Sequence, residues 1–498
     1  MVYYKKLIDD IVDNLVSVSD RTAYDVASKA QDYRDSSASL QELVYTSVSN
    51  GDLRSMNGIT YFFTGKIYEP ISEDVLERAI ELFLVRMHVP NRDMYYSLNK
   101  FQKKAKQSLR LNCYLHPSFH VKAYLNGVVD MTTGVLHKFS PEFHVIYLNE
   151  YNYDPTAKCP LWNSFLRTVL PEKESRSILQ MYLGLCTFDR GYMTDKVENC
   201  LMLYGNGSNG KSVIYETIDG IFGKPNVSGM GLLSLIKGGD ERMRNIAAVD
   251  GKIVNVCPEI QAKDISGYED AFKSLCSGEV QYGRNIGGNV YVVRNIPWLI
   301  FNMNNIPKST DGSHGYFRRF LYIIFEHIIP EELQNKHLAS DLKQEYPGIL
   351  NWIMRGAKYL KQRKYVFPKS ENAEKQRLLV MGESNVTLSW ASARGVRCAS
   401  ATKGELFNWL KVSDMYQDMV NYAEANGFVP VDIISFGRQM TKIGFGKMNK
   451  KRTASGFLYK VYGFSEEELK TPVPVVQDMD LCQEDAFDKG VEYDVEDL

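Results

Sequence analysis

The sequence predicts an α/β fold, with an N-terminal α+β region before the core and a small helix-rich domain after it. Within residues 196–330, apolar stretches of strand length alternate with amphipathic stretches of helix length, which is typical of a sheet covered by helices. A glycine-rich segment, GNGSNGKS at 205–212, joins one such strand to one such helix. With 498 residues, 44% hydrophobic and 24% charged, the composition is that of a globular protein of several domains.

The sequence argues against a membrane protein and against a fold held together by a metal ion. No apolar run approaches the roughly 20 residues that span a bilayer, and the opening MVYYKKLIDDIVDNLV indicates an amphipathic helix rather than a signal peptide. We therefore expect no membrane association and a cytoplasmic protein. None of the eight cysteines forms a C-x-x-C pair, which argues against a zinc ribbon or a redox dithiol. His116 and His120 are four residues apart, but Pro117 disfavours a helix that presents both to a metal.

Residues 1–120 are expected to form an N-terminal α+β domain. GITYFFTGKIYEPI at 58–71 alternates apolar and polar residues around glycine, which predicts a hairpin, and Ser72 is placed to cap the helix that follows. The basic stretch NKFQKKAKQSLRLN at 99–112 fits either a solvated helix face or a nucleic-acid contact.

Two further regions flank the core. Residues 121–195 contain short strand-like pieces and then two helices separated at Pro171, so we expect a region that leads into the core and a helical collar. Residues 331–400 are expected to form a helical extension and, from 371 onward, a polar linker with weak periodicity.

The glycine-rich segment has the pattern G-x-x-x-x-G-K-[ST] of a P-loop. Such a loop has few bulky Cβ atoms, so its backbone N–H groups can turn toward the phosphates of ATP, and the following helix adds its positive N-terminal end. Lys211 is expected to reach the β- and γ-phosphates, and the Ser212 hydroxyl to bind Mg²⁺. The expected ATP-binding residues are Gly205, Asn206, Gly207, Ser208, Asn209, Gly210, Lys211, Ser212 and Val213.

Hydrolysis of the bound nucleotide needs further groups, and three later segments offer them. GKIVNVCPEI is an apolar strand that ends at Glu259, which would polarise the attacking water and help to hold the Mg²⁺ shell. WLIFNMNNIPK is a second apolar strand, after which Asn304 would contact the γ-phosphate or the water. Arg318 and Arg319 precede a third strand, where an arginine at a subunit edge could reach a neighbour's nucleotide.

The C-terminal part combines a basic domain with an acidic tail. Residues 401–465 predict helices starting at Ser413 and Ser435 and then a hairpin with a basic turn. Residues 466–498 hold twelve acidic and two basic residues, a net charge of −10, and are expected to be disordered. The remaining chain therefore carries +9, a balance that suits a nucleic-acid partner.

The order of these motifs resembles the superfamily 3 helicases, and in particular the phage and plasmid primase-helicase family, which includes the poxvirus primase-helicase. Three segments are similar to those that lead into that helicase core: NGVVDMTTGVLHKFSPEF, YDPTAKCPLWNSFL and YGNGSNGKS. By this resemblance, residues 121–195 are the helicase-leading region. Two further segments resemble the family's later motifs: FKSLCSGEVQYGRNIGGNVYVVRN and NMNNIPKSTDGSHGYFRRFLYIIF. The resemblance covers residues 120–330 most clearly and both flanks more weakly.

The resemblance implies an ATP-dependent, ring-forming replicative DNA helicase with an AAA+-like core. It implies a homo-oligomer, usually a hexamer, that moves along single-stranded DNA and opens forked DNA, with a primase, a polymerase and a single-strand binding protein as replication partners. A phage-encoded member would act in the host cell cytoplasm. Residues 281–294 would be a channel hairpin, with Lys273 and Arg284 as DNA contacts.

The resemblance also makes residues 401–465 a winged-helix-like domain for duplex or fork binding. Its DNA contacts would come from one helix and the wing, with Phe445, Phe457 and Tyr459 between the basic residues. These contacts are Arg438, Lys442, Lys450, Lys451 and Arg452. A solubilising basic loop is the alternative interpretation.

Two other functions stay open at this point. One is a P-loop ATPase that binds or loads at an origin without unwinding DNA. The other is a primase-helicase, although no D-x-D pair lies on a strand before the matching region, where a primase centre would be sought.

The strand that ends at Glu259 has one carboxylate where many ATPases have two, so Mg²⁺ would depend more on Ser212 and water.

Overall fold

The computed structural model describes residues 2–19, 33–56, 58–89, 91–115, 120–188, 190, 193, 195–205, 209–257, 265–304, 314–327, 329–330, 332, 334–454 and 456–479. The chain divides into two compact units, Met1–Pro155 and Thr156–Leu498. The six-part division expected from the sequence is finer than this and stays a prediction. None of the described helices has the length and apolar character needed to cross a membrane.

The first unit combines helices with two small sheets. Strands β1, β2 and β3 form an antiparallel meander, and β4 to β7 form a second sheet in the order β6-β5-β4-β7. Its described elements are α1 (Val2–Ser17), α2 (Tyr33–Asn50), β1 (Leu53–Met56), β2 (Ile59–Phe63), β3 (Tyr68–Ile71), α3 (Glu73–Arg86), α4 (Asn91–Asn112), β4 (Val121–Tyr124), β5 (Gly127–Asp130), β6 (Leu136–His137) and β7 (Leu148–Asn149).

Local sequence signals account for much of this unit. The predicted hairpin is β2–β3, and the Ser72 side chain accepts a hydrogen bond from the Val75 N–H at the start of α3. The basic stretch 99–112 belongs to α4, where Phe101 is fully buried while Lys106 lies outside and pairs with acidic residues of α3. Of the histidine pair, His116 lies outside the described residues.

The second unit is built around a five-stranded parallel sheet in the order β14-β8-β13-β10-β9. Buried apolar runs such as that of β13 are what a sheet covered on both faces requires. The elements up to the end of this sheet are α5 (Pro160–Val169), α6 (Lys173–Leu185), β8 (Cys200–Tyr204), α7 (Lys211–Phe222), β9 (Val227–Ser228), α8 (Leu232–Ile236), α9 (Asp240–Val249), β10 (Val254–Cys257), α10 (Glu269–Cys276), β11 (Gln281–Arg284), β12 (Val290–Val293), β13 (Trp298–Met303), α11 (His314–Phe317) and β14 (Phe320–Ile324).

Helices and a three-stranded antiparallel sheet complete this unit. Strands β15, β17 and β16 pair in that order, so the first strand of the sheet pairs with the last. These elements are α12 (Leu338–Leu342), α13 (Tyr346–Gln362), α14 (Glu371–Ser384), α15 (Val386–Ala393), β15 (Phe407–Lys411), α16 (Val412–Ala425), α17 (Ile433–Lys442), β16 (Lys450–Thr453) and β17 (Gly456–Tyr462).

The structure differs from the expected linker at 371–400, because this segment contains helices α14 and α15. Ser370 caps α14, and its hydroxyl also donates to the Glu172 carboxylate at 2.6 Å. Buried residues lie on more than one side of α14, so its apolar positions do not form the single stripe that reveals a surface helix.

The acidic tail also begins later than expected. Residues 466–479 pack on the core formed within residues 378–464, which we call the C-terminal domain. There Val476 is fully buried, and its N–H donates to the Asn426 side chain at 2.7 Å. Arg394 donates to the Thr471 hydroxyl at 3.0 Å and to the Pro472 carbonyl oxygen at 3.2 Å. Residues 480–498, which carry most of the acidic charge, lie outside the described residues.

Candidate functional site

The glycine-rich loop leaves the carboxyl end of β8, the strand that lies between β13 and β14. Gly205 has a φ of +157°, and a Cβ atom there would lie 2.5 Å from the Phe325 carbonyl oxygen and 2.6 Å from the Asn209 amide nitrogen. Gly210 has a φ of +86° and occupies the N-cap position of α7. Both conformations favour glycine, which explains the two fixed glycines of the pattern.

Lys211 is the first residue of α7, and its side chain turns back over the loop. The residue is only 5% exposed, and its ammonium donates to the Gly205 carbonyl oxygen. The Nζ atom lies 6.0 Å from the centre of the Phe325 ring. A buried cation at a helix N-terminus, beside backbone that admits no Cβ, is an arrangement suited to binding an anion.

The remaining loop residues are only partly described. Asn209 is buried and donates to the Phe325 carbonyl oxygen at 3.3 Å, which ties the loop to the end of β14. Ser212 is exposed and Val213 is half-buried in the first turn of α7. The other expected loop residues, Asn206, Gly207 and Ser208, lie outside the described residues.

The topology of the sheet places this loop at a switch point. From β8 the chain passes through α7 to the far edge strand β9, while β14 lies on the other side of β8. In open α/β sheets, ligands bind at the carboxyl ends of the strands where the connections diverge in this way.

Of the two hydrolysis candidates Glu259 and Asn304, the structure describes only Asn304. Asn304 directly follows β13, and Met303 pairs with Tyr204, so Asn304 and the glycine-rich loop share one edge of the sheet. Its side chain is exposed. Glu259 lies outside the described residues, although the described end of β10 at Cys257 brings the chain to the same edge. Among the residues that are described, no cluster of three or more His, Cys, Asp or Glu side chains could hold a metal ion.

Arg318 and Arg319 lie at the opposite edge of the sheet. They precede β14, whose first residue, Phe320, pairs with Cys200 at the start of β8. Five strand residues separate this amino edge from the carboxyl edge, a length of roughly 16 Å. The structure therefore does not bring the two arginines together with Lys211 of the same chain.

The Glu198 carboxylate accepts hydrogen bonds from both arginines. The sequence did not predict this role for Glu198. Arg319 donates to Glu198 at 3.1 Å, and Arg318 donates to the other carboxylate oxygen of the same side chain. Lys196 lies 3.0 Å from this carboxylate, and the Ser277 hydroxyl donates to it at 2.7 Å. Burial alone would raise the pKa of Glu198, but the hydrogen bonds from Ser277, Lys196 and Arg318 and the charge of Arg319 lower it to about 2. The only sequence signal was a single acid just before a buried strand.

The two arginines differ in exposure. Arg319 is 8% exposed and also donates to the Gly315 carbonyl oxygen and, at 3.2 Å, to the Ser277 hydroxyl. The Arg318 side chain is 47% exposed. Arg319 is therefore fixed inside the chain, while Arg318 presents part of its guanidinium to solvent.

The predicted hairpin at 281–294 consists of β11 and β12, with Arg284 opposite Val290. The Arg284 side chain donates to the Gly288 carbonyl oxygen at 3.1 Å and lies 3.7 Å from an Asp240 oxygen. Ile286 at the turn is 92% exposed. Lys273 pairs with Asp270 at 3.0 Å one helical turn away.

In the C-terminal domain, all five predicted DNA contacts are exposed: Arg438, Lys442, Lys450, Lys451 and Arg452. The aromatic residues expected among them behave differently. Phe445 and Tyr459 are 1% and 0% exposed and belong to the core, so they lie between the basic residues in sequence but not on the surface. Phe457 is exposed, and the Lys450 ammonium lies 4.3 Å from its ring centre. Strand β15 was not predicted, and it adds two further aromatic residues, Phe407 and Trp409.

Two family models match parts of the chain. The model described as "D5 N terminal like" matches residues 120–171, and the one described as "Family of unknown function (DUF5906)" matches residues 203–319. The first match falls within the region that resembles the phage and plasmid primase-helicases, and it supports a relationship to phage-type primase-helicase replication proteins. The second match spans the glycine-rich loop, both arginines and the hairpin.

Solved structures give weaker similarities, and a search by sequence among curated proteins finds no match. The A form apo structure of the NrS-1 C-terminal region is 11% identical, with a TM-score of 0.40, over 82% of this chain and 95% of that chain. Another apo structure of the NrS-1 C-terminal region is 10% identical, with a TM-score of 0.38, over 82% and 94% of the two chains. At TM-scores this low, the similarities do not establish a shared fold.

Proposed function

We propose that this chain is an ATP-dependent, ring-forming DNA helicase of a phage-type replication system that moves along single-stranded DNA. The observation that carries the proposal is the buried Lys211 ammonium at the N-terminus of α7, beside a loop in which Gly205 leaves no room for a Cβ atom. This combination, at the carboxyl end of β8, suits a triphosphate.

The residues at this edge of the sheet fit the nucleotide. Backbone N–H groups from Asn209 to Val213 would cradle the phosphates, and Lys211 would exchange its bond to the Gly205 carbonyl for phosphate oxygens. Ser212 and Glu259 would hold Mg²⁺, which supplies charge neutralisation at the β- and γ-phosphates. Asn304, exposed at the same edge, would orient the attacking water or the γ-phosphate.

Hydrolysis in this proposal needs a neighbouring copy of the chain. The double arginine lies at the opposite edge of the sheet from Lys211, which suits a group that acts on the nucleotide of the next subunit. Exposure favours Arg318 for this role, because Arg319 is buried and bonded within its own chain. A ring, such as the hexamer that the sequence resemblance implies, would supply one such neighbour to every site.

The DNA contacts proposed from the sequence have surfaces that suit them. The β11–β12 hairpin extends to the exposed Ile286, and Arg284 lies beside its turn, as a channel hairpin would require. In the C-terminal domain, helix α17 and the β16–β17 hairpin carry five exposed cations, which suits a winged-helix-like module that grips the fork. Contacts of this kind bind phosphates and should be sensitive to salt.

The first experiment measures ATP hydrolysis and strand separation on forked DNA. We expect hydrolysis that DNA stimulates, and we expect Lys211→Ala to reduce it by at least about 100-fold. Hydrolysis and tight duplex binding without strand separation would favour an origin-binding or loading ATPase. Synthesis of short oligonucleotides from nucleotides would favour a primase-helicase. Undiminished hydrolysis in Lys211→Ala would overturn the proposal.

The second experiment tests the shared site by mixing subunits. Lys211→Ala and Arg318→Ala chains should each be inactive alone and should regain part of the ATPase activity when mixed, because some interfaces would combine two intact halves. Lys196→Ala is the matched control, since Lys196 also contacts Glu198 but has no proposed role in hydrolysis. Absence of rescue at every mixing ratio would contradict sites shared between subunits.

A further inference from the structure

One face of the β15–β17–β16 sheet is open and carries both aromatic and basic side chains. Leu410, Tyr459 and Val461 are at most 1% exposed and point into the core, so their neighbours along each strand point away from it. The outward residues are Phe407, Trp409 and Lys411 of β15, Lys451 and Thr453 of β16, and Leu458, Lys460 and Tyr462 of β17. We call this surface the outer sheet face.

Each of two aromatic rings on the outer sheet face has a lysine above it. The Lys451 ammonium lies 4.1 Å from the centre of the Trp409 ring, and the Lys460 ammonium lies 4.1 Å from the centre of the Phe407 ring. The centres of the Phe407 and Trp409 rings are 6.3 Å apart, so they offer two separate contact positions. None of the described residues of the outer sheet face is acidic.

We propose that the outer sheet face binds single-stranded nucleic acid, with bases stacking on Trp409 and Phe407 and with Lys451, Lys460 and Lys411 contacting phosphates. Exposed cation–π contacts are weaker than the stacking of a base on an aromatic ring, so a base can displace each lysine. The displaced ammonium then lies beside the backbone of the same nucleotide. This surface is distinct from the exposed cations proposed for duplex or fork binding, except for Lys451, and the proposal does not depend on ATP binding.

The chemistry of the outer sheet face favours single strands over duplex. In a duplex the bases are stacked on each other and paired, so their flat faces are not offered to a protein ring. The outer sheet face shows aromatic rings and ammonium groups, which recognise any base and any phosphate. We therefore expect binding that tolerates sequence and that accepts both DNA and RNA strands.

Trp409 provides a specific optical signal. The other four tryptophans, at positions 162, 298, 352 and 390, are at most 2% exposed, whereas Trp409 is partly exposed. Fluorescence of the full chain is therefore titrated with oligothymidylate about 15 nucleotides long, a length within the usual site size for single strands. We expect saturable quenching, and we expect Trp409→Phe to lose the quenching while retaining binding measured by anisotropy of a labelled strand.

The affinity for single strands should depend on both base stacking and charge, and separate substitutions test the two contributions. Trp409→Ala should weaken strand binding about tenfold, whereas Val429→Ala, which shortens an exposed apolar side chain outside the outer sheet face, should leave it unchanged. Lys460→Ala should reduce the slope of log affinity against log salt by about 0.7, the value for one phosphate of a single strand. Oligouridylate measured in parallel tests the expectation that RNA strands bind as well.

Two results would overturn the proposal. One is tighter binding of a duplex of equal length, with Trp409 fluorescence unchanged by single strands. The other concerns the acidic segment 480–498, which has a charge opposite to that of the outer sheet face. If a chain ending at 479 shows altered Trp409 fluorescence on its own but no further quenching by oligothymidylate, the outer sheet face serves that segment instead.

Discussion

Glu198 offers the most quantitative test of how the amino edge of the sheet is held together. Glu198→Gln keeps the shape of the side chain but removes its charge, while the charges of Arg318, Arg319 and Lys196 remain. A pKa lowered from 4.5 to about 2 corresponds to about 3 kcal/mol of stabilisation at neutral pH. Because the Arg318 and Lys196 side chains are 47% and 65% exposed, solvent screening reduces this to about 2 kcal/mol.

The sign of the pH dependence follows from the lowered pKa. The carboxylate is more acidic in the folded chain, so its stabilisation is complete above its ordinary pKa of 4.5 and is lost as the pH falls toward 2. Wild type and Glu198→Gln should therefore differ most at neutral pH and converge in acid. Urea unfolding followed by tryptophan fluorescence at several pH values measures the difference, since Trp298 lies in the same sheet.

A matched control separates this carboxylate from surface charge in general. Lys196→Gln removes the most exposed partner of Glu198 and should change the free energy of unfolding by no more than about 0.5 kcal/mol. Equal stability of wild type and Glu198→Gln at neutral pH would refute the reasoning. A difference that stays constant down to acid pH would refute it as well.

Two further predictions concern other parts of the second unit. Asp418→Ala should lower the stability of the C-terminal domain by about 3–5 kcal/mol in thermal unfolding, because it leaves the buried Arg394 without the carboxylate that it contacts at 2.6 Å and 2.9 Å. Gly205→Ala should weaken nucleotide binding measured by calorimetry, because the added Cβ would lie 2.5 Å from the Phe325 carbonyl oxygen and force the loop to move.

Matched controls accompany both predictions. Asp414→Ala removes an exposed carboxylate from the same helix and should leave thermal unfolding nearly unchanged. Gly229→Ala adds a Cβ whose nearest neighbour lies at 3.7 Å, an ordinary contact, and should leave nucleotide binding intact. If the control variants match their test variants in effect, the proposed local causes are wrong.

The sequence anticipated the strands of the core because their signals are local. β8, β13 and β14 are largely apolar runs: β8 is followed by Gly205, β13 is followed by Asn304, and β14 is preceded by Arg318 and Arg319. Such runs are recognisable without knowing their neighbours. The same holds for the two hairpins of 58–71 and 281–294, which close on nearby turns. Local pattern therefore located the loop that carries Lys211.

Features that depend on distant contacts were not anticipated. β15 pairs with β17, which places Phe407 opposite Tyr462. Because the partner strand is distant in the sequence, the residues near Phe407 do not indicate a strand. Glu198 meets Arg319 more than a hundred residues further along the chain. Such contacts are set by tertiary packing, and their residues resemble ordinary surface charges in the sequence.

Direct binding of ATP with Mg²⁺, measured by isothermal calorimetry on the full chain, tests the central claim. The account predicts saturable binding at one site per chain that Lys211→Ala abolishes and that Lys237→Ala, which removes an exposed lysine of the same core, leaves unchanged. No heat of binding in the wild type, or equal affinity in Lys211→Ala, would contradict it.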